Sequence, residues 1–211
     1  MSILSGPEIE RRVKAGEIKI EPFDPDMVSP NSVNLKLADR LLVYRKNRYI
    51  HDFYAERHER IQEGVWPSGA THPIDTYLEP LDMAVEEETD ELIIPKTGLI
   101  LWPGVLYLGS TVEYTETPNL VPNLDGRSSV GRLGVVVHLT AGRGDTFFRG
   151  TWTTEITVVH PLRVYPGVPV CQISYLTVEG EQKPYAGNYV GQRGPKASQL
   201  FRGVRKLLGL D

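Results

Sequence analysis

Hydrophobic and polar positions at the start of the chain predict one helix followed by strands. Ser5 and Glu8 have the spacing of a capping box, and Pro7 falls in the first turn, where a missing N–H costs little. Leu4 and Ile9 are placed to form a hydrophobic staple, Ile9 and Val13 share a face, and Gly16 is a stop. A short strand over Ile18–Ile20 follows. The stretch Glu21–Pro30, with three prolines and three acids, reads as loop. Ser32–Leu37 alternates, with Val33, Leu35 and Leu37 on one face, the pattern of a half-buried strand.

From about Arg45 to Asp90 this rhythm is lost. Charges, aromatics and breakers mix: His51, Tyr54, His58, Trp66, Pro67, Gly69, Pro73, Pro80. Ala55–Glu63 fits a short polar helix, and the stretch is expected to be a surface insertion rather than a second core. The acidic run Glu86, Glu87, Glu88, Asp90, Glu91 is expected to be a solvated turn. From Leu92 onward short runs rich in Val, Ile, Leu, Thr and Tyr alternate with breaks such as Trp102-Pro103-Gly104 and Tyr165-Pro166-Gly167. Short strands with regular turns predict a β-sandwich or barrel. Near the end, Phe201, Val204, Leu207 and Leu208 fall at helical spacing. Basic residues among them suit an anion or, more simply, an exposed amphipathic end.

Composition narrows the function classes. A chain of 211 residues suits one domain and can bury roughly 70% of the surface its unfolded form exposes. The single cysteine, Cys171, excludes an intramolecular disulfide framework and multi-cysteine zinc sites, and fits a reducing, cytoplasmic setting. It is expected to be a small buried hydrophobe. With 23 Lys and Arg against 27 Asp and Glu, the formal charge of -4 argues against a nonspecific nucleic-acid binder. Apolar runs are short, Gly98–Trp102 among the longest, so no membrane helix is expected. Met1–Glu10 has no secretory pattern. His51, His58, His72 and His160 have no spacing that suggests a metal.

Three features could carry chemistry. Gly126-Arg127-Ser128-Ser129-Val130-Gly131-Arg132 crowds arginines, hydroxyls and glycines together, as a phosphate chain requires and as a polar turn also allows. Glu155 lies in the strand-like run Thr153-Thr154-Glu155-Ile156-Thr157-Val158-Val159. Facing outward it would be a solvated carboxylate. Buried, its pKa would rise and it could move protons near neutral pH. Asp145, in Ala141-Gly142-Arg143-Gly144-Asp145-Thr146-Phe147-Phe148, is either a turn former or the acceptor of a sugar hydroxyl.

Together these features resemble the dCTP deaminase family, within the trimeric dUTPase superfamily. Leu120-Val121-Pro122-Asn123-Leu124-Asp125 leads into the arginine–serine loop, then a strand through His138, the Asp145 loop and Glu155. Further matching segments are Val170-Cys171-Gln172-Ile173, Pro184-Tyr185-Ala186-Gly187-Asn188-Tyr189-Val190-Gly191-Gln192 and, upstream, Pro30-Asn31-Ser32-Val33-Asn34-Leu35-Lys36-Leu37. The match is loose over 1–44 and close over about 93–198, with the segment between longer than the family leads one to expect. The resemblance implies a mainly β, distorted jelly-roll barrel of the dUTPase-like type with a few short peripheral helices. One domain, 1–211, would divide into an N-terminal helix and strands (1–44), a surface insertion (45–92), a β core (93–183) and a C-terminal arm (184–211).

The implied activity is hydrolysis of dCTP to dUTP and ammonia, with some members continuing to dUMP and pyrophosphate. Zinc deaminases use H-x-E and C-x-x-C motifs that this chain lacks, and the family is zinc-independent. Glu155 would be the general acid/base. Ser129, Arg132 and backbone near Ala141 would hold the water, Thr153 and Thr154 would flank the pyrimidine, and Asp145 would meet the 3′-hydroxyl. Arg127, Ser128 and Ser129 would hold the triphosphate, with Tyr185 and Gln192 closing from the arm and Gln172 a further contact. Magnesium would arrive on the triphosphate, with no protein ligand assigned. The active sites would lie between subunits of a homotrimer, with dTTP a candidate inhibitor. His138 matches a family histidine and is also consistent with a packed imidazole.

Thr140-Ala141-Gly142 favours the bifunctional members. Asp145 and Glu155, ten residues apart, fit both kinds. Two departures stand out. Asp145-Thr146-Phe147-Phe148 replaces the family's Asp-Pro-Gly-Phe, which changes the loop's allowed dihedrals. Asn188 replaces a phosphate-binding lysine, leaving Lys183, Arg193 or Lys196 to substitute, or a modified or less phosphorylated substrate to be used. A dUTP diphosphatase alone, or a non-catalytic nucleotide-binding regulator on the same fold, are the competing readings.

Overall fold

Ser5 caps the first helix as its spacing predicts. In the computed structural model, which describes residues 2–62 and 79–210 and only the backbone of 58–62, α1 spans Gly6–Lys14 and Ser5 Oγ accepts the Glu8 N–H at 3.4 Å. Ile9 is fully buried, and Gly16, at φ +74°, ends the turn. The side chain of His58 and residues Trp66, Pro67, Gly69, His72 and Pro73 lie outside the described residues, as does the end of the expected 55–63 helix.

Twelve strands follow among the described residues, all paired antiparallel. A four-stranded sheet runs β2 (Val28–Ser29), β3 (Ser32–Lys36), β12 (Pro169–Thr177), β8 (Leu120–Gly126). A larger sheet runs β5 (Thr89–Ile93), β4 (Arg40–Tyr44), β7 (Tyr107–Glu116), β10 (Arg149–Val158), β9 (Val135–Val136), with β1 (Lys19–Glu21) also on β7. Strands β6 (Leu99–Leu101) and β11 (Leu162–Val164) form a separate pair. The fold is thus mainly antiparallel β with few helices. The alternation read at Val33, Leu35 and Leu37 points all three into the core, where Leu35 stands opposite Cys171 and Val33 opposite Ile173. Cys171 is buried as expected, and desolvation pushes its thiol up to about 12, leaving it inert as a nucleophile. No helix among the described residues is long and apolar enough to cross a membrane.

The segment expected to be a surface insertion enters the core instead. Helix α2 spans Arg45–Gln62 and starts ten residues before the expected polar helix. Ile50 and Tyr54, four apart on one face, are buried with His51 between them. Tyr54 stacks on Trp102 with centroids 5.0 Å apart, and His51 Nδ1 meets the Tyr107 hydroxyl at 2.9 Å. That hydroxyl also accepts the Trp102 N–H at 3.0 Å. Burial, then Arg48, lowers the His51 pKa, and the imidazole shares one hydrogen bond with the Tyr107 hydroxyl. Tyr107→Phe removes an acceptor and a donor from a buried site. It is expected to destabilise the protein by about 2–3 kcal/mol, read as a lower urea midpoint at unchanged m-value.

The acidic run is solvated as expected at Glu86, Glu88 and Glu91, but it is not a turn: Asp90 and Glu91 lie in β5, opposite β4, and Arg40 pairs with Glu91, and Arg45 with Glu88 and, at 3.0 Å, with Asp90. Glu87 takes Lys46 at 3.0 Å and the Asp82 N–H at 2.7 Å. The tail forms α4 (Phe201–Leu208), with Leu207 and Leu208 exposed, the amphipathic end foreseen.

Candidate functional site

Strand β10 sets the position of Glu155. Thr154, Ile156 and Val158 point into the core, so Glu155 and Thr157 point away from it. A register shift between Thr151 and Thr153 breaks the alternation, so Trp152 and Thr153 both line the cleft that Glu155 lines. Bulges of this kind re-aim side chains beside functional sites. Glu155 is half-buried. Its Oε2 accepts the Leu139 N–H at 2.9 Å, and Oε1 carries no hydrogen bond within the described residues.

This cleft, of about 750 Å³, also holds Ala141, Asp145, Tyr185 and Gln192. Its aromatic wall was not foreseen: Tyr44, Phe148, Trp152 and Tyr189. Phe148 lies 4.5 Å from Trp152 and 5.9 Å from Tyr185, centroid to centroid, and Trp152 Nε1 donates to Thr115 Oγ1 at 2.9 Å. The one local signal for this wall is the clustering of aromatics around Asp145 and Thr153. A flat, partly apolar wall beside carboxylates suits a heteroaromatic ring. Gly187 leaves room for Tyr185 to fold back, since a Cβ there would lie 2.2 Å from the phenol oxygen.

The Asp145 loop keeps a tight turn despite its altered sequence. The Phe148 N–H reaches the Asp145 carbonyl at 3.3 Å, and Phe147 adopts φ +63°. The turn thus demands a left-handed residue where the resemblance has glycine, and this chain supplies Phe147 at a cost of about 1–2 kcal/mol. The Phe147 N–H, bonded to the Thr117 carbonyl at 3.0 Å, helps hold it.

The arm is fastened to β10. Gln192 Nε2 donates to the Thr151 carbonyl (2.7 Å) and Thr153 Oγ1 (3.2 Å), while Gln192 Oε1 is buried without a partner. Gly194 N–H and Lys196 N–H bond Thr151 Oγ1 and Thr153 Oγ1.

The arginine–serine loop lies elsewhere. Arg127, Ser128, Ser129 and Gln172 line a second cleft of about 530 Å³ with Ser29 and Asn34, and the two clefts share no lining residue. Residues 128–131 form one helical turn, α3, and Arg127 Nη1 is held by the Pro169 carbonyl at 3.1 Å. Gln172 bridges Ser32 Oγ (2.9 Å) and the Gly126 carbonyl (3.5 Å). Arg132, exposed after that turn, and Thr154, fully buried, line neither cleft. One chain therefore presents an anion half and a carboxylate half, apart from each other. His138 has a buried Nε2 without a partner. Burial lowers its pKa against the pull of Glu155 and Asp125, which fits the packed imidazole. Among the described residues, no three His, Cys, Asp or Glu side chains gather as a metal-holding group.

The class these observations define is a mainly antiparallel β protein with two separate polar clefts, and comparison with known proteins narrows it. A family model described as dCTP deaminase-like matches residues 3–178. A Leptospira biflexa protein named "dCTP deaminase, dUMP-forming" is 46% identical over 205 residues, covering 97% of this chain and 99% of that protein. One of the same name from Cytophaga hutchinsonii is 44% identical over the same shares. The fold is similar to the crystal structure of 2′-deoxycytidine 5′-triphosphate deaminase from Agrobacterium tumefaciens, with a TM-score of 0.54 at 21% identity; the match covers 82% of this chain and 47% of that one. The chain belongs to the dCTP deaminase-like family.

Proposed function

We propose that this protein hydrolyses dCTP to dUTP and ammonia and then dUTP to dUMP and pyrophosphate. The observation that carries the reading is Glu155: pinned through Oε2 to the Leu139 N–H, with Oε1 uncommitted, in one cleft with Asp145 and an aromatic wall. Glu155 takes a proton from water as it adds to C4 of the pyrimidine. It passes that proton to N3 and then moves the proton of the new C4 hydroxyl to the amine, so that the C4–N bond breaks as C4=O forms, one water is consumed and one ammonia leaves. Asp145, exposed at the cleft rim, receives the sugar hydroxyl. The chemistry needs no zinc, because Glu155 does the work of activating water. Magnesium supplies charge neutralisation to the triphosphate that carries it, held by phosphate oxygens and water. The relatives' printed name, dUMP-forming, favours the two-step course.

The second half-site belongs to the same reaction if two copies meet. Arg127, Ser128 and Ser129 of one subunit would face the Glu155 cleft of its neighbour, in a homotrimer with three such sites. Beside the loop lie the exposed apolar residues Leu133, Val136 and Val159, from 40% to 70% accessible and suited to a subunit contact. Incubation with dCTP and Mg²⁺, with products separated, tests the reading. dUMP, pyrophosphate and ammonia in equal amounts are expected. Absence of any uracil nucleotide sinks it, and pyrophosphate from dUTP with no dCTP turnover selects the diphosphatase alone. Nucleotide binding without turnover selects the regulator. dTTP, lacking a 4-amino group, is expected to bind the same cleft as an inhibitor.

A further inference from the structure

We propose that Lys196 grips the outer phosphates of the nucleotide bound in the Glu155 cleft and so sets selectivity for a triphosphate; this rests on the proposed function. Three cations sit in or beside the arm, and the structure separates them. Lys183 is exposed and lines none of the clefts described, and Arg193 lies over the Tyr114 ring at 4.4 Å. Lys196 alone of the three lines the Glu155 cleft. Its backbone N–H is bonded to Thr153 Oγ1 at 3.2 Å, which fixes its origin beside β10, two residues from Glu155.

Its ammonium is held but not neutralised. Nζ donates to the Asn188 carbonyl at 3.0 Å and lies 5.8 Å from the Tyr189 ring centroid. No carboxylate of the described residues lies within 4.0 Å of it, whereas Lys14, Lys19, Lys36 and Lys46 each meet one. An ammonium has three donors, so two remain for a ligand. In a cleft that already contains Asp145 and Glu155, an unpaired cation at a fixed place attracts a polyanion and leaves a neutral base to the aromatic wall. Arg143, the other cation of the cleft, also lines a neighbouring cleft with Glu179 and so lies on the lip between the two.

The test uses the full chain carrying Glu155→Gln, which binds substrate without turning it over. dCTP and dCMP affinities are measured by calorimetry with and without Lys196→Gln. Loss of one charge-assisted contact is expected to weaken dCTP about 10- to 100-fold, leave dCMP within about 3-fold and flatten the salt dependence for dCTP. In chains with Glu155 intact, Lys196→Gln should raise KM with kcat little changed. Equal weakening of dCTP and dCMP, no weakening of dCTP, or the phosphate-dependent loss appearing in Arg143→Gln instead would overturn the assignment. Turnover of dCTP by the unaltered chain alongside any of these leaves the proposed function standing. Failure of the Glu155→Gln chain to bind dCTP removes both.

Discussion

Replacing Glu155 by glutamine is expected to slow ammonia release from dCTP by about 100- to 10,000-fold, the range over which a positioned acid/base acts. The substitution isolates proton transfer from structure. Glutamine keeps the length of the side chain, and its amide oxygen can still accept the Leu139 N–H that the carboxylate Oε2 now takes at 2.9 Å. Ile156 and Thr154, which anchor this part of β10 in the core, are untouched. The variant should therefore melt within a degree or two of the parent and bind dCTP with little change in affinity. Ammonia release is followed in a coupled assay and dCTP binding by calorimetry. Deamination near the parental rate would remove Glu155 from its role.

The sequence made legible what is local and periodic. Ser5 capping α1 and the inward Val33, Leu35 and Leu37 are decided by spacings of a few residues. Spacing leaves Glu155 open between the two faces, and the burial of its neighbours Thr154 and Ile156 decides that it faces away from the core. What escaped depends on partners far along the chain. The 45–62 stretch reads as polar because α2 turns one narrow face inward, and His51 finds its partner in Tyr107, 56 residues away. The ion pairs of the acids at 88–91 are hidden from a local reading because Arg40 and Arg45 come from β4 and the start of α2. The aromatic wall has the same origin. Tyr44, Trp152, Phe148 and Tyr189 come from four segments, and the bulge at Thr151–Thr153 that brings Trp152 to the cleft breaks the very alternation a sequence reading relies on. The Asp145 loop shows a backbone demand outlasting the residues that usually meet it: φ at 147 is left-handed although glycine is absent.

The separation of the half-sites leads to the second large effect. If the Arg127 loop of one chain serves the Glu155 cleft of the next, two dead chains can repair each other. A chain carrying Glu155→Gln retains its anion half, and a chain carrying Arg127→Ala retains its carboxylate half. Each variant alone should be inactive or nearly so. Co-expressed with different tags and purified through both, the mixed assemblies should regain activity, because some interfaces join the two intact halves. In a cyclic trimer that holds both kinds of chain, one of the three interfaces joins the two intact halves, so about a third of the sites are whole. Were both halves used within one chain, every site would carry a defect and nothing would return. Arg127→Ala also removes the bond to the Pro169 carbonyl, so its oligomeric size and melting temperature are checked first. Recovery to about a third of parental turnover in the doubly purified assemblies would place the reaction between subunits. Mixed assemblies of correct size with no recovered turnover would place it within one.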